Sequence, residues 1–213
     1  MNERFAFDLS RAGRVLVGGA DEAGRGCLAG PLVAAAVSFA YGSWSDDDFA
    51  ALDRLHDSKR LARRLRASLY EEVLRRARQV VVIAYSAASI DSRGLQRCNL
   101  DALSAAISSL VPAPAVAFVD GFALPGCPAA HEALVRGDAR SAAVAAASVV
   151  AKVTRDRVML AMHERFPQYR FDQHVGYATE LHQEMITAHG VCELHRRSFD
   201  AISYRQLGLH LDE

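Results

Sequence analysis

Apolar and polar positions alternate along the chain in blocks that predict strands and helices in turn. Short apolar runs, too short for typical helices, predict four strands, at residues 14–20, 31–39, 79–84 and 115–119. Longer stretches predict helices, because their apolar residues recur every three or four positions or because alanine dominates. These helices span residues 61–78, 99–110, 139–166 and 180–188, the third ended by Pro167 and the fourth by Gly190. The alternation predicts an α/β fold.

Length and composition predict one main domain with a small appendage. The chain has 213 residues, of which 51% are hydrophobic, which is enough to bury a core without disulfides. After Pro167 the composition becomes richer in His, Tyr and polar residues. We therefore expect an N-terminal extension at 1–13, an α/β body at 14–167 with a polar loop at 41–53, and a C-terminal helical lobe at 168–213.

Charge and cysteine content indicate the kind of binding partner and the cellular compartment to expect. The formal net charge is +0, so any site for a polyanion must come from local charge separation, and residues 54–78 carry nine Lys or Arg against three Asp or Glu. The four cysteines are scattered without a C-x-x-C pair, which indicates reduced thiols rather than a zinc site or a disulfide framework. The N-terminal sequence lacks the apolar stretch of a signal peptide, and no apolar run approaches about 18 residues. We expect a cytoplasmic protein without a membrane span.

The stretch GADEAGRGCLAGP at 19–31 suggests two kinds of site. Its G-x-G-x-x-A pattern at 24–29 matches a dinucleotide-binding loop. A strand pattern follows Pro31, however, whereas a dinucleotide loop must open a helix. Asp21 and Glu22 would also repel a phosphate unless a cation lay between them. The pattern therefore favours a metal site over a nucleotide cofactor.

Four carboxylates fall where predicted strands or helices begin or end. Asp21 and Glu22 end the first strand, Asp120 ends the fourth, and Asp138 precedes the alanine-rich helix. Functional groups gather beyond strand ends in open α/β sheets, so we expect these side chains to converge. Four neighbouring carboxylates require cations, and two divalent ions would make a phosphodiester-cleaving site. The alternative is that Asp138 only caps a helix and Asp120 only forms a turn.

Six blocks of the sequence, in order, resemble ribonuclease HII, the type 2 ribonuclease H of bacteria. They are VGGADEAGRGCLAGPLVAAAV (17–37), HDSKRL (56–61), FVDG (118–121), GDARSAAVAAASVVAKVTRDR (137–157), HVGYAT (174–179) and HRRSF (195–199). The resemblance implies a ribonuclease H-like α/β fold, with a mixed central sheet flanked by helices and a small C-terminal helical subdomain. It implies an endonuclease that cuts on the 5′ side of ribonucleotides in duplex DNA, and cuts the RNA strand of RNA–DNA hybrids, leaving 3′-hydroxyl and 5′-phosphate ends.

The resemblance also implies the roles of individual residues. The ligands of two Mg²⁺ or Mn²⁺ ions would be Asp21, Glu22, Asp120 and Asp138. The substrate-binding residues would be Gly24, Arg25 and Gly26 at the ribonucleotide, Tyr177 on the sugar that follows it, and Ser58, Lys59, Lys152 and Arg155 on the backbone. Which of Lys152 and Arg155 touches substrate is left open. The chain departs from the family at Cys27, where proline is commoner, and at Val175, where a lysine is usual, so one phosphate contact is in doubt.

Two other functions use the same features. A two-metal DNA nuclease of the same fold would share the carboxylates but would have no use for Gly24–Gly26 or Tyr177. A nucleic-acid-binding module without chemistry would place four carboxylates beside a polyanion for no purpose. Asn99 is expected to cap its helix. The histidines of the C-terminal lobe lack a metal-ligand spacing and are expected on the surface or in packing, although His195 to Arg197 could touch phosphate. The default oligomeric state is a monomer.

Overall fold

The computed structural model describes residues 2–55 and 62–207. The strands are β1 (Leu16–Ala23), β2 (Leu32–Ala40), β3 (Gln79–Tyr85), β4 (Val116–Asp120) and β5 (Glu132–Leu134). The helices are α1 (Glu3–Ala12), α2 (Asp46–Ala51), α3 (Arg63–Arg76), α4 (Ala87–Arg93), α5 (Leu95–Ser108), α6 (Gly137–Arg140), α7 (Ala142–Arg165), α8 (Phe171–His174), α9 (Glu180–His189) and α10 (Ile202–Gln206). Two short 3-10 turns lie at Tyr41–Ser43 and Pro167–Tyr169. Among the described helices, none combines the length and the apolar character needed to span a membrane.

The sheet is mixed, as the resemblance implies. Its strand order is β3-β2-β1-β4-β5. β1 runs antiparallel to β2 and parallel to β4, and β4 runs parallel to β5. The four strands predicted from apolar runs are all present within a few residues of their expected bounds. β5 is missing from the prediction because three residues are too few to leave a periodic signature.

The alanine-rich helix predicted at 139–166 is broken in two. The short helix α6 ends at Arg140, and Ser141 takes an extended conformation before α7 begins at Ala142. The Ser141 hydroxyl accepts a hydrogen bond from the Val144 backbone N–H at 3.3 Å, so Ser141 supplies the side-chain cap of the long helix. Asp138 lies inside α6, so the interpretation that it merely caps the long helix is wrong.

The described residues form two compact units. The first combines residues 2–23, 33–83 and 99–153, and the second combines 24–32, 84–98 and the chain from 154 onward. The domain boundaries expected at residues 13 and 167 remain a prediction, since each unit here is assembled from three segments.

The core of the first unit lies between the sheet and the alanines of α7. A β-carbon added at Gly19 on β1 would lie 2.2 Å from the carbonyl carbon of Ala143, so strand and helix touch backbone to backbone. Residues 3–12, expected to be an extension, form α1, whose Phe5 is fully buried among aromatic rings that include Trp44, at a ring-centroid distance of 5.8 Å. The expected loop at 41–53 contains the short helix α2, with Ser45 at its N-terminus.

The helix predicted to begin at Asn99 begins earlier. α5 starts at Leu95, directly after α4, which ends at Arg93. Asn99 therefore lies inside α5 and is fully buried, and the prediction that it caps the helix is wrong.

Candidate active site

Two of the four predicted carboxylates are brought together by the strand register. Ala20 of β1 lies beside Val119 of β4 in the parallel pair. Asp21 and Asp120 are the next residues on these two strands, so both lie at the same edge of the sheet. Glu22 follows on β1 opposite Ala34 of β2.

Asp138 follows Gly137, whose backbone reaches Asp120. The backbone N–H of Gly137 donates a hydrogen bond of 2.6 Å to Oδ1 of Asp120, which fixes that carboxylate and brings the first turn of α6 to the end of β4. The carbonyl of Asp138 accepts a hydrogen bond of 2.9 Å from Nε of Arg4 on α1. Its side chain is half-buried, as are those of Glu22 and Asp120.

The electrostatics at Asp21 show that negative charge is concentrated here. Asp21 is only 5% exposed, and burial raises its pKa well above 3.8, with the negative charges of Glu22 and Asp120 raising it further. Hydrogen bonds from the Ser148 hydroxyl and from the Glu22 backbone N–H, the latter 2.7 Å, oppose this rise. A cation is the one kind of partner that would relieve all of this repulsion at once.

The donor set fits a hard divalent ion by its chemistry. Its ligands would be carboxylate oxygens, which Mg²⁺ and Mn²⁺ prefer, together with oxygens of water and substrate. Across residues 2–55 and 62–207, no three His, Cys, Asp or Glu side chains are already grouped as a metal-binding set. The metal-ligand roles of the four carboxylates therefore stay a prediction.

Helix α7 adds a hydroxyl and an ammonium group near this edge. Ser148, which hydrogen-bonds to Asp21, is followed one turn later by Lys152, so the two share a face of the helix. Lys152 is only 8% exposed. Of the two cations left open as substrate contacts, Lys152 is thus the one on the helix face that meets Asp21.

In the second unit, the predicted ribonucleotide-sensing loop contains two different kinds of glycine. Gly24 has φ +96°, and a β-carbon there would lie 2.3 Å from Nε of Arg155, so the fold itself requires glycine. A β-carbon at Gly26 would meet no described atom within 4 Å. Packing within the described part of the chain therefore gives no reason for glycine at position 26.

Arg155 is placed differently from its predicted role. It is fully buried, and its guanidinium donates hydrogen bonds to three backbone carbonyls, Pro31 at 3.0 Å, Val175 at 2.8 Å and Ala29 at 2.9 Å. This geometry argues against the predicted phosphate contact, because the guanidinium is enclosed by the protein and three of its five N–H groups already bind backbone carbonyls. Arg155 instead positions the chain around the loop.

Arg196 has a similar role that the sequence did not reveal. It too is fully buried, and it donates to the carbonyl of Gly30 through Nε at 3.0 Å and to the carbonyl of Arg25 through Nη1 at 3.1 Å. The phosphate contact considered for His195 to Arg197 is unsupported at His195 and Arg196, which are both buried. The position of Arg196 in the block HRRSF was the only available signal, and nothing in it distinguishes an exposed arginine from a buried one.

Tyr177 lies beside the loop in the same unit. It forms an isolated antiparallel bridge with Cys27, and its half-buried ring lies 5.6 Å from the Arg155 guanidinium carbon. Gly176 precedes it with φ +87°, where a β-carbon would lie 2.3 Å from the carbonyl oxygen of Ala29. The loop and Tyr177 are therefore packed closely against each other.

The predicted basic surface is described in part. Ser58 and Lys59 lie outside the described residues, so their contact with the nucleic-acid backbone stays a prediction. On α3, Arg75 and Arg76 are paired with Glu72, and Arg76 also lies 3.2 Å from Asp48. These pairs lower the positive charge that α3 presents to a polyanion.

Comparison with known proteins agrees with this architecture. The family model described as Ribonuclease HII matches residues 18–202. The chain is similar to a ribonuclease HII of Saccharopolyspora erythraea, with 45% identity over 88% of this chain and 80% of that protein. It is also similar to one of Sinorhizobium fredii, with 46% identity over 92% of this chain and 82% of that protein. The crystal structure of ribonuclease H2 from Pyrococcus horikoshii superposes with a TM-score of 0.73 at 24% identity, covering 91% of this chain and 97% of that one.

That superposition confirms the ribonuclease H-like fold. The mixed sheet agrees with the fold that the resemblance implied. The family match covers most of the chain, and the two relatives exceed 40% identity across most of their own length. The chain therefore belongs to the ribonuclease HII family and is a ribonuclease H endonuclease.

Proposed function

We propose that this endonuclease removes ribonucleotides from DNA in the cytoplasm, by hydrolysing the phosphodiester on the 5′ side of a ribonucleotide in duplex DNA, and that it also cuts the RNA strand of RNA–DNA hybrids. The products carry 3′-hydroxyl and 5′-phosphate ends. The observation that supports this most directly is the buried Asp21, which is surrounded by negative charge and lies three residues before a glycine loop.

The four carboxylates Asp21, Glu22, Asp120 and Asp138 are the proposed ligands of Mg²⁺ or Mn²⁺. When bound, divalent ions supply the positive charge that activates water and stabilises the charge developing on the scissile phosphate and the leaving oxygen. No nucleophilic side chain is needed. The protein orients the ligands: Ser148 holds Asp21, and the Gly137 N–H holds Asp120.

Lys152 is the proposed cation for a substrate phosphate. It shares a face of α7 with Ser148, and its low exposure leaves the ammonium group in surroundings where charge interactions are strong. Arg155, although it was an equal candidate from the sequence, is assigned to positioning the loop.

Ribonucleotide recognition is assigned to Gly24, Arg25 and Gly26. A 2′-hydroxyl is both donor and acceptor, so backbone groups can recognise it if they come close enough. The loop begins two residues after Glu22 along the chain, as in the sequence block that resembles the family. Gly26, which the described fold does not require to be glycine, is the position where a side chain would obstruct the substrate rather than the protein.

Tyr177 is assigned to the sugar that follows the ribonucleotide. An aromatic face packs well on deoxyribose, whereas a 2′-hydroxyl at the same place is crowded. This preference would favour an RNA-to-DNA junction over continuous RNA. The hydrogen bonds on its backbone and its bridge to Cys27 hold the residue beside the loop.

The deciding experiment compares three labelled duplexes in Mg²⁺, Mn²⁺ or EDTA. One contains a single ribonucleotide, one is an RNA–DNA hybrid and one is DNA alone. We expect cleavage 5′ of the ribonucleotide and within the hybrid, with none in EDTA. Comparable cleavage of the all-DNA duplex would overturn the proposal in favour of a DNA nuclease of the same fold, and binding without cleavage in either metal would indicate a binding module.

Two variants test the assigned residues. Asp120→Asn should reduce cleavage at least about 100-fold, because a metal ligand loses its charge, while Asp47→Asn, an exposed carboxylate on α2, serves as the matched control with unchanged cleavage. Gly26→Ala should keep the wild-type urea midpoint yet cleave the single-ribonucleotide duplex about tenfold more slowly. Equal cleavage by Gly26→Ala and wild type would remove this loop from ribonucleotide recognition.

A further inference from the structure

We infer that His182 and His195 form a positioning relay, a chain of two neutral imidazoles that fixes the backbone of Tyr177 and thereby sets the preference for RNA-to-DNA junctions. This inference rests on the proposed role of Tyr177. It assigns a function to histidines that the sequence indicated only as surface or packing residues.

The relay is a continuous chain of hydrogen bonds within the second unit. Nδ1 of His182 lies 2.9 Å from the carbonyl oxygen of Tyr177. Nε2 of His182 lies 3.2 Å from Nε2 of His195. Nδ1 of His195 lies 3.0 Å from the backbone nitrogen of Cys192. The chain thus runs from one backbone group to another through two side chains.

The end groups determine which ring nitrogens carry protons. A carbonyl oxygen only accepts, so Nδ1 of His182 must be the protonated nitrogen, and its Nε2 is an acceptor in the neutral ring. A backbone N–H only donates, so Nδ1 of His195 is the acceptor and its Nε2 is protonated. The facing nitrogens of His182 and His195 are then one acceptor and one donor, which is what a single hydrogen bond requires.

His174 packs beside this pair with its own protonation fixed in the same way. Its Nδ1 accepts from the Gly176 N–H at 3.1 Å and its Nε2 donates to the Tyr169 carbonyl at 2.9 Å. The rings of His174 and His182 are stacked with centroids 4.2 Å apart. Gly176 and Tyr177 are therefore each tied to a histidine ring.

The surroundings keep these rings uncharged. The three histidines are buried and pack against Phe171. Burial lowers the pKa of His182 to about 3 and that of His195 to about 4. A further proton on His182 would face the N–H of His195, so the charged form has no acceptor there. The relay is present in its neutral form throughout the neutral pH range.

The contact matters because the Tyr177 carbonyl lies at the start of the segment that leads into α9. It also accepts from the Thr179 N–H at 2.8 Å, and Thr179 caps α9 by accepting from the His182 N–H at 3.2 Å. His182 therefore holds both the helix end and the preceding turn. Loss of the ring would let the Tyr177 backbone shift against Cys27 while leaving the carboxylates untouched.

The first test needs only the wild-type protein. Long-range ¹H–¹⁵N spectra of the imidazole rings at pH 7.5 should show His182 as the neutral Nδ1-protonated tautomer and His195 as the neutral Nε2-protonated tautomer. Finding His182 charged, or protonated at Nε2, would overturn the relay regardless of any activity.

The second test measures specificity. The readout is the ratio of kcat/KM on the single-ribonucleotide duplex to kcat/KM on the RNA–DNA hybrid. His182→Leu should lower this ratio about tenfold, whereas His182→Asn, whose amide nitrogen takes the place of Nδ1 but which cannot reach His195, should lower it by less than His182→Leu does. In a Tyr177→Ala background, His182→Leu should cause no further change, since the two residues act in series.

Controls separate this inference from a general loss of stability and from the proposed function. Ile186→Ala, buried on the same helix, should lower the urea midpoint without changing the ratio. If Ile186→Ala lowers the ratio as much as His182→Leu does, the effect is structural and the relay is refuted. An unchanged ratio in His182→Leu also refutes it. A wild-type enzyme that ignores ribonucleotides would refute the proposed function instead, while the tautomer spectra would still test the hydrogen-bond chain.

Discussion

The buried carboxyl of Asp8 should make the stability of the first unit fall as the pH rises. Asp8 lies on α1 with no exposed surface, and its Oδ2 accepts hydrogen bonds from the Tyr41 hydroxyl at 2.7 Å and from the Ala143 N–H at 3.0 Å. Burial raises the pKa of Asp8 from 3.8 to about 6, since the hydrogen bonds only partly offset the loss of hydration. The folded protein therefore holds this proton more tightly than the unfolded chain does.

The size of the effect follows from linkage. The pKa of Asp8 is higher in the folded protein, about 6, than in the unfolded chain, near 3.8. The stabilisation from this group is therefore fully present below pH 3.8 and is lost as the pH rises through about 6. At about 1.36 kcal/mol for each pH unit between the two values, the complete loss is about 3 kcal/mol. About half of it, roughly 1.5 kcal/mol, falls between pH 5 and pH 8.

Asp8→Asn isolates this contribution, because the amide keeps an accepting oxygen and has no proton to lose. The unfolding free energies of variant and wild type are measured in urea at pH 5, 6, 7 and 8. The fluorescence of Trp44, which packs 4.9 Å from the Tyr41 ring, reports on the same cluster. We expect the difference between variant and wild type to shift in favour of the variant by about 1.5 kcal/mol from pH 5 to pH 8.

Asp47→Asn on the exposed surface of α2 is the matched control, and its difference from wild type should change by less than about 0.5 kcal/mol. A difference for Asp8→Asn that stays constant with pH, or that moves against the variant, would show that Asp8 titrates like an exposed carboxyl and that burial does not dominate its pKa.

Three further predictions test individual contacts. Gly19→Ala places a β-carbon 2.2 Å from the Ala143 backbone and should lower the unfolding free energy by about 1–3 kcal/mol or more, measured in urea, with an unchanged midpoint contradicting the close contact. Arg155→Lys cannot reproduce the three carbonyl contacts and should lower the unfolding free energy by about 2–3 kcal/mol in the same assay. If the variant instead lost only substrate affinity, Arg155 would be a phosphate contact after all. Val175 has φ +44°, which is unfavourable for a β-branched side chain. Val175→Lys should tighten duplex binding measured in EDTA and steepen the slope of log binding constant against log salt concentration by about 0.9. An unchanged slope would mean that the lysine adds no phosphate contact.

The sheet and its acidic edge were predictable from the sequence because their signals are local. Apolar runs mark the strands, and acidic residues in the last positions of β1 and β4 mark the edge where parallel strands end together. The break before α7 was not predictable, since Ser141 is a weak signal among alanines. The close approach of α7 to β1 at Gly19 is likewise visible only in the tertiary structure.

The roles of the arginines and histidines could not be read from the sequence for a different reason. Arg155 and Lys152 are one turn apart and chemically alike as cations, and both are buried, so only the three backbone carbonyls that Arg155 binds distinguish it from Lys152. Likewise His182 and His195 are thirteen positions apart, a spacing with no motif, and their pairing depends on the fold of the C-terminal segment.

The irregular loop from Arg25 to Pro31 explains why the fold buries two arginines: their hydrogen bonds to the loop offset the free energy of removing them from water. Backbone that forms neither helix nor strand must still satisfy its carbonyl groups, and here Arg155 and Arg196 together bind those of Arg25, Ala29, Gly30 and Pro31. Burial lowers the pKa of Arg196 only to about 10, so Arg196 remains cationic at neutral pH and its hydrogen bonds are charge-assisted. A loop held in this way loses little conformational entropy when a nucleotide binds, and it can present its backbone to a 2′-hydroxyl without being reordered. The positive charge that the sequence suggested for phosphate is thus partly used inside the protein, to shape the segment proposed to read the sugar.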